Sequence, residues 1–323
     1  MKRGTTLTPQ RFDMTFTVIG HLCFDVIELL DGNEIQSYGG IYFPLAALAN
    51  FLSPDDKILP VFGIGKTDYN SFIDHLKMYP NIDTSGIFKF SGPTNQVRLK
   101  YSTGGNRIEC SKHISESIPW KRIHQYLDTD MILVDMISGF DISLETLDEI
   151  RMEIRDKKIP IYLDVHCLPC RINEDFTRSY CPVQTWRRWL FMLHAVQMNI
   201  AEATHLTPER LDESSLAKHV LALNTKALHI TKGDSGSTLY MDGHKQINRL
   251  DLQAFDTEKS IDPTGCGDVF AAAYCAHYIK SKDMITSARF ADRVASFNAQ
   301  LLGSKEINKL TKFRLSEFHE IAS

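Results

Sequence analysis

Ser260-Ile261-Asp262-Pro263-Thr264-Gly265-Cys266-Gly267-Asp268 is the stretch on which the reading of this 323-residue chain turns. Two glycines two positions apart let the backbone turn tightly and bring its N–H groups close to an anion. The segment that follows, Val269 to Lys280, is rich in alanine and carries apolar Val269, Ala272, Ala273 and Ala276 at helical spacing. A helix start presents unpaired N–H donors and the positive end of the macrodipole, so a phosphate is favoured there. Asp268 sits at the mouth of that turn. A carboxylate beside a bound phosphate is electrostatically costly unless it has a task such as accepting a proton; the plainer alternative is that it only caps the helix.

Outward from this turn, short β-rich runs alternate with helical patterns. Strands are predicted over Thr15–Ile19, Ile58–Phe62, Met131–Val134, Ile159–Asp164, Ala195–Met198 and Ala227–Thr231. Helices are predicted over Pro44–Leu52, Tyr69–Met78, Leu144–Asp156, Ser214–Leu223, Val269–Lys280 and Ile285–Leu302. Such alternation predicts right-handed βαβ units around a mostly parallel sheet with helices on both faces, and ligands at the carboxyl ends of its strands. From Ile87 to Cys110 the pattern changes to strand-like alternation with a turn at Gly104-Gly105-Asn106, which reads as a small antiparallel element set apart from the main sheet. Met241-Asp242-Gly243-His244 marks a further hairpin at a sheet edge.

Composition excludes several classes. With 43% hydrophobic and 24% charged residues the chain is an ordinary globular one, and a net charge of -4 gives no general bias toward nucleic acid or an acidic membrane. No stretch approaches the roughly 20 apolar residues of a membrane span, and Gly4 to Gln10 is polar where a signal peptide would be apolar. A cytoplasmic protein is expected, with residues 1–13 as a flexible tail. Seven scattered cysteines do not make a disulfide framework. Cys167-Leu168-Pro169-Cys170 has redox spacing, with Cys181 nearby, and is read as reduced thiols in a loop.

Asp262-Pro263-Thr264-Gly265-Cys266-Gly267-Asp268 resembles the C-terminal signature of the ribokinase-like (PfkB-type) carbohydrate kinases, Asp-Thr-Thr-Gly-Ala-Gly-Asp, with Pro263 and Cys266 in place of the commoner Thr and Ala. Further matches follow in the family's order. Asp25, five residues after Gly20, has the spacing of an aspartate that binds substrate hydroxyls. Gly39-Gly40 before an Ala-rich helix resembles the first family signature, although Pro44 stands where many members have asparagine. Phe62-Gly63-Ile64-Gly65-Lys66-Thr67-Asp68 is similar to another family stretch and is read as a strand-to-helix turn rather than a phosphate loop. Asp164-Val165-His166 resembles a family Asp-x-Asn run, with Asp164 in a supporting place. Asn199-Ile200-Ala201-Glu202 matches the family's Asn-x-x-Glu, and Thr231-Lys232-Gly233-Asp234-Ser235-Gly236 its Thr-x-Gly-x-x-Gly.

The resemblance implies a three-layer α/β/α ribokinase-like domain over residues 14–323, with a small antiparallel β lid drawn from about 26–38 and 86–112. It implies ATP-dependent phosphorylation of a hydroxyl, most often a sugar hydroxymethyl. Asp268 would be the base, and the backbone of Gly265, Cys266 and Gly267 would stabilise the transferred phosphoryl. Asp25, Gly39 and Gly40 would bind substrate. Thr231, Gly233, Gly236, Asp262, Thr264 and Asn298 would flank the nucleotide, with Ala295 and Ser296 near the adenine. Asn199 and Glu202 would hold Mg²⁺, with a monovalent cation left open; by residue type alone that pair is equally a helix cap. Arg98 and Lys100 on the lid are expected to face solvent, and Lys232 likewise. The lid's exposed edge leaves a homodimer open. Two rivals stand beside the sugar kinase: a nucleoside kinase on the same scaffold, for which Pro44 leaves room, and a non-catalytic nucleotide-binding regulatory protein.

Overall fold

The computed structural model describes residues 14–28, 34–101, 107–243, 246–254 and 261–316. The expected tail over 1–13, Ser260, His244 and the stretches 29–33 and 102–106 within the expected lid lie outside those residues.

In chain order, β1 (Thr15–Ile19) leads through Gly20 and His21 into β2 (Leu22–Glu28), which pairs with β3 (Glu34–Gly40); α1 (Tyr42–Phe51), β4 (Lys57–Gly65) and α2 (Tyr69–Leu76) follow. Next come β5 (Ile87–Phe90), β6 (Asn95–Tyr101), β7 (Arg107–Lys112), α3 (Trp120–Ile123), β8 (Met131–Asp135), α4 (Leu144–Ile154) and β9 (Ile161–Asp164). A hairpin of β10 (Cys170–Ile172) and β11 (Arg178–Tyr180) precedes α5 (Trp186–Trp189), β12 (Ala195–Asn199), α6 (Ile200–Leu206), α7 (Glu213–Ala222) and β13 (Ala227–Thr231). The chain finishes with the edge pair β14 (Ser237–Asp242) and β15 (Ile247–Leu252), then α8 (Cys266–Ser281), α9 (Met284–Asn298) and a 3₁₀ run over Gly303–Phe313.

The main sheet has nine strands in the order β15-β14-β13-β12-β9-β8-β1-β4-β5, parallel except at β14 and β15. Its central strands are buried on both faces, as apolar runs such as Met131–Val134 require when helices cover both sides. The parallel arrangement sets the last residues of β8, β9, β12 and β13 along one edge. Asp135 pairs in register with Asp164, and Asn199 with Thr231.

The smaller sheet runs β3-β2-β6-β7 and stands over that edge. It consists of two antiparallel pairs joined by parallel pairing of β2 with β6. The run expected as one element from Ile87 to Cys110 therefore divides. Its first strand, β5, lies parallel to β4 in the main sheet, and only Asn95 onward enters the lid. Ile87 is buried against the core, a demand that an alternation pattern cannot distinguish from lid membership.

Helix α8 packs between α1 and α9 and against β8 and β9. Ala271, Ala272, Ala273 and Ala276 are fully buried, so backbones approach closely around it. Among the described residues no helix is long and apolar enough to cross a membrane.

Candidate active site

A cavity of about 1210 Å³ opens between the lid and the carboxyl edge of the main sheet. Three strand or helix ends bring acids together here, Asp164 and Asp268 on the cavity wall and Asp135 buried behind them. Asp135 ends β8 and is fully buried, and neither of its carboxylate oxygens has a hydrogen-bond partner. Asp164 ends β9; its Oδ1 accepts from the His166 N–H (3.2 Å) and its Oδ2 from Gln197 Nε2 (2.9 Å). Asp268, in the first turn of α8, is 4% exposed, and its Oδ1 has no hydrogen-bond partner. His166, at φ 39°, turns its Nδ1 to within 3.4 Å of Asp268 Oδ1 and 3.7 Å of Asp135 Oδ1.

Three carboxylates this close cannot all ionise without cost. Burial, then the Asp268 and Asp164 charges, holds the Asp135 carboxyl well above the usual carboxylate range. Burial and Asp268 likewise push Asp164 up to about 7, against the pull of His166. Burial acts to lower His166, yet the neighbouring Cys167 and Asp268 carry it well above an ordinary imidazole. Ligand atoms of Asp135, Asp164, His166 and Asp268 lie within 4.8 Å of one another, a span that one divalent ion could bridge.

The turn before α8 is built as its residue types demand. Gly265 caps the helix in the left-handed region (φ 77°, ψ 0°). A Cβ there would overlap the ring of Phe43, whose Cγ would be 2.6 Å away. Asp262 Oδ1 accepts from the Thr264 N–H (2.9 Å), and Asn298 Nδ2 donates to Thr264 O (3.4 Å). The Cys266 N–H is turned back onto Pro263 O at 3.2 Å. Gln197 Nε2 also donates to Gly267 O (2.9 Å), so one amide ties the turn to Asp164.

The lid side contributes Asp25 from β2 and Gly40 from β3, both lining the cavity. Gly39, directly behind, is needed because Asp25 lies across it: a Cβ would fall 2.5 Å from Asp25 Oδ1 and closer still to Oδ2. Arg98, expected in solvent, makes a half-exposed ion pair with Glu34 on the neighbouring part of the lid. The side chain of Lys100 lies outside the described residues.

On the other side stand the residues of the Asn-x-x-Glu and Thr-x-Gly runs. Asn199 and Glu202 form a complete capping box at the start of α6: Asn199 Oδ1 accepts from the Glu202 N–H (2.9 Å) and Glu202 Oε2 from the Asn199 N–H (2.8 Å). Both line the cavity, and burial together with Asp164 pushes Glu202 up to about 8. Thr231 ends β13, with Gly233 and Gly236 in the turn beyond; all three border the cavity, as do Ala295 and Ser296 of α9. Lys232 is not left in solvent but pairs with Glu213 of α7 at 3.0 Å.

The structure thus brings together around one cavity nearly every site residue expected from sequence. Asp262, Asn298 and Gly39 buttress its wall from behind. Sequence reasoning missed Asp135, Arg178 and the weight of His166. Asp135 carried a usable signal, an acid at the carboxyl end of a parallel strand. Arg178 carried none, since the β10–β11 hairpin that delivers it is too short to leave a pattern. Its guanidinium is anchored by Ser111 Oγ (2.6 Å) and Ile137 O (3.2 Å), lies 3.4 Å from Glu109, and touches Cys167 Sγ. The thiol of Cys170, then His166 and Arg178, bring Cys167 down to about 5 in spite of burial.

A nine-stranded, mostly parallel sheet with a β lid over its carboxyl edge is the ribokinase-like fold. Residues 172–310 match the profile of the pfkB family carbohydrate kinases. The ribokinase of Bacillus subtilis (strain 168) is 29% identical over 245 residues, covering 74% of this chain and 68% of that protein. The cytidine kinase of Thermococcus kodakarensis is 22% identical over 279 residues, covering 84% of this chain and 91% of the other. The structure of Arabidopsis thaliana ribokinase complexed with ribose and ATP superposes with a TM-score of 0.69 at 17% identity, covering 94% of this chain and all (100%) of that one. Over residues 172–310 the chain is thus similar to the PfkB family carbohydrate kinases, a family of phosphotransferases.

Proposed function

We propose that this protein transfers the γ-phosphoryl group of ATP to a hydroxyl of a sugar, with Asp268 as the general base. The observation that carries the reading is the position of Asp268. It is a buried carboxylate, one residue beyond the Gly265-Cys266-Gly267 turn, whose Oδ1 makes no hydrogen bond and has His166 Nδ1 at 3.4 Å, and it lines a cavity with Asp25 and Gly40 at one end and the Thr231–Gly236 turn at the other.

Asp25 and the Gly40 backbone hold the acceptor. Two carboxylate oxygens suit two adjacent hydroxyls, and Arg178 and Glu109 add polar contacts at the same end. Asp268 takes the proton of the attacking oxygen. The α8 start, with N–H groups of Gly265, Cys266 and Gly267, faces the charge that develops on the transferred group; the Cys266 donor, already on Pro263 O, shares its bond between two acceptors. His166 Nδ1, 3.4 Å from Asp268 Oδ1, holds that side chain in place between turnovers. Thr231, Gly233 and Gly236 flank the donor's phosphates and ribose. Mg²⁺ would be held through water at the Asn199–Glu202 corner: the side-chain oxygens are engaged in the capping box, and a buried carboxylate whose charge burial and Asp164 disfavour gains from a nearby cation. When bound, the ion would neutralise charge on the outer phosphates.

Asp268→Asn keeps the shape and removes the base. It should lower kcat by about 10²–10⁴-fold with ATP affinity intact. A rate within a few fold of the wild type would refute the assignment. Phosphate transfer measured over a panel of sugars and nucleosides decides the acceptor. A preference for a nucleoside would correct the substrate class, and ATP binding with no acceptor phosphorylated would favour a regulatory protein.

A further inference from the structure

Cys167 and Cys170 take no part in phosphoryl transfer, yet both line the reaction cavity. The Cys170 N–H donates to Cys167 O at 3.0 Å, closing a turn that sets the two residues side by side on the cavity wall. A turn of that kind keeps its end Cα atoms within about 7 Å, the reach of an S–S bridge. The guanidinium of Arg178 lies on Cys167 Sγ, the environment that favours a thiolate. Among the described residues, the one cluster of metal-ligating side chains contains neither cysteine, which argues against a metal thiolate centre.

We propose that Cys167 and Cys170 are a reversible oxidation site, closed to a disulfide by a peroxide, and that closure weakens the acceptor end of the active site. The Cys167 sulfur attacks one peroxide oxygen, the O–O bond breaks, and a sulfenic acid forms with release of water. The Cys170 sulfur then attacks the sulfenic sulfur and expels a second water. Two thiols and one peroxide become one disulfide and two waters, and a dithiol reductant reverses the change. The bridge takes the Cys167 sulfur from Arg178, whose other contacts are Ser111 and, on the cavity wall, Ile137 and Glu109. It also re-poses the peptide at His166, the immediate neighbour of Cys167 and the partner of Asp268. Donor residues Thr231 and Gly233 lie on a different strand end and are untouched.

The test treats the full-length chain with hydrogen peroxide and maps its thiols by peptide mass spectrometry. The expected product is a 167–170 disulfide, two hydrogens lighter and restored by dithiothreitol. With it, acceptor kcat/KM should fall by about ten- to a hundredfold, as for a displacement of up to about 1 Å, while ATP affinity holds. Cys170→Ser should form no such bridge, and Cys181→Ser, which alters an exposed thiol, should behave as the wild type. A 167–170 peptide still reduced when Cys181 is oxidised, or a bridged protein with full acceptor kinetics, would overturn the proposal. The inference rests on the kinase reading only for its kinetic arm. A chain that forms the bridge but phosphorylates nothing would sink that reading and leave the disulfide standing.

Discussion

Replacing Gly265 with alanine should damage stability and turnover together, and the structure says by how much. The residue sits at φ 77°, where an L side chain costs about 1–2 kcal/mol. The new methyl group would also enter the ring of Phe43, which is 1% exposed within α1 and has nowhere to retreat. Overpacking of this kind typically costs about 1–3 kcal/mol. The combined loss of about 2–5 kcal/mol should lower Tm by roughly 3–7 °C. If the turn escapes by moving outward, its N–H donors leave the reacting group, and a shift of about 1 Å costs about 10²-fold in kcat. The assay is a double-mutant cycle on Tm and kcat with Phe43→Ala. That substitution alone opens a cavity and is destabilising, but it clears the space the methyl group needs, so Gly265→Ala on top of it should cost only the backbone share. A coupling of about 1–3 kcal/mol is expected. Equal costs in both backgrounds, within about 0.5 kcal/mol, would refute the argument that Phe43 sets the shape of the turn.

Gly39→Ala should push the Asp25 carboxylate out of place and raise the acceptor KM with kcat for ATP-saturated enzyme less affected; initial-rate kinetics at varied acceptor checks this, and an unchanged KM would exclude Asp25 as the hydroxyl binder. Glu202→Gln should raise the Mg²⁺ concentration needed for half-maximal rate, measured by metal titration at fixed ATP. His229 is buried among Tyr162, Phe270 and Tyr274 with neither ring nitrogen bonded, and burial and His194 lower it to about 3. Its folded value lies below its unfolded one of about 6.5, so its share of stability is present above that pH and is lost as pH falls toward 3. Denaturant melts of His229→Phe should show a shallower acid decline than the wild type, the difference reaching on the order of 5 kcal/mol at the acid end; parallel curves would contradict a buried neutral imidazole.

Much of this was legible in the chain because the informative residues obey local rules. The strand and helix periods around Thr15–Ile19, Met131–Val134 and Ala227–Thr231 gave the parallel sheet, and Gly265-Cys266-Gly267-Asp268 gave the turn opening α8. What was not legible depends on contacts remote in sequence. Ile87 looks like any strand residue until its burial beside β4 is known. Lys232 looks solvated until α7 places Glu213 within 3.0 Å. Asn199 and Glu202 satisfied two readings at once, and the structure realises the cap in full without displacing the pair from the cavity. Asp135, Asp164 and Asp268 come from positions spread over more than a hundred residues, and only the closed sheet makes them a single electrostatic unit.

Helix α8 has no solvent face to speak of along Val269–Ala276, yet its first turn carries Asp268, the carboxylate proposed as the base. Mechanical tolerance and chemical competence therefore fall on the same few alanines. Drift that swells Ala271, Ala272 or Ala273 by a methyl group would tilt the rod and spoil its aim before the molecule came apart. Heat inactivation of this protein should accordingly begin ahead of global melting, as a loss of alignment in a body that is still folded.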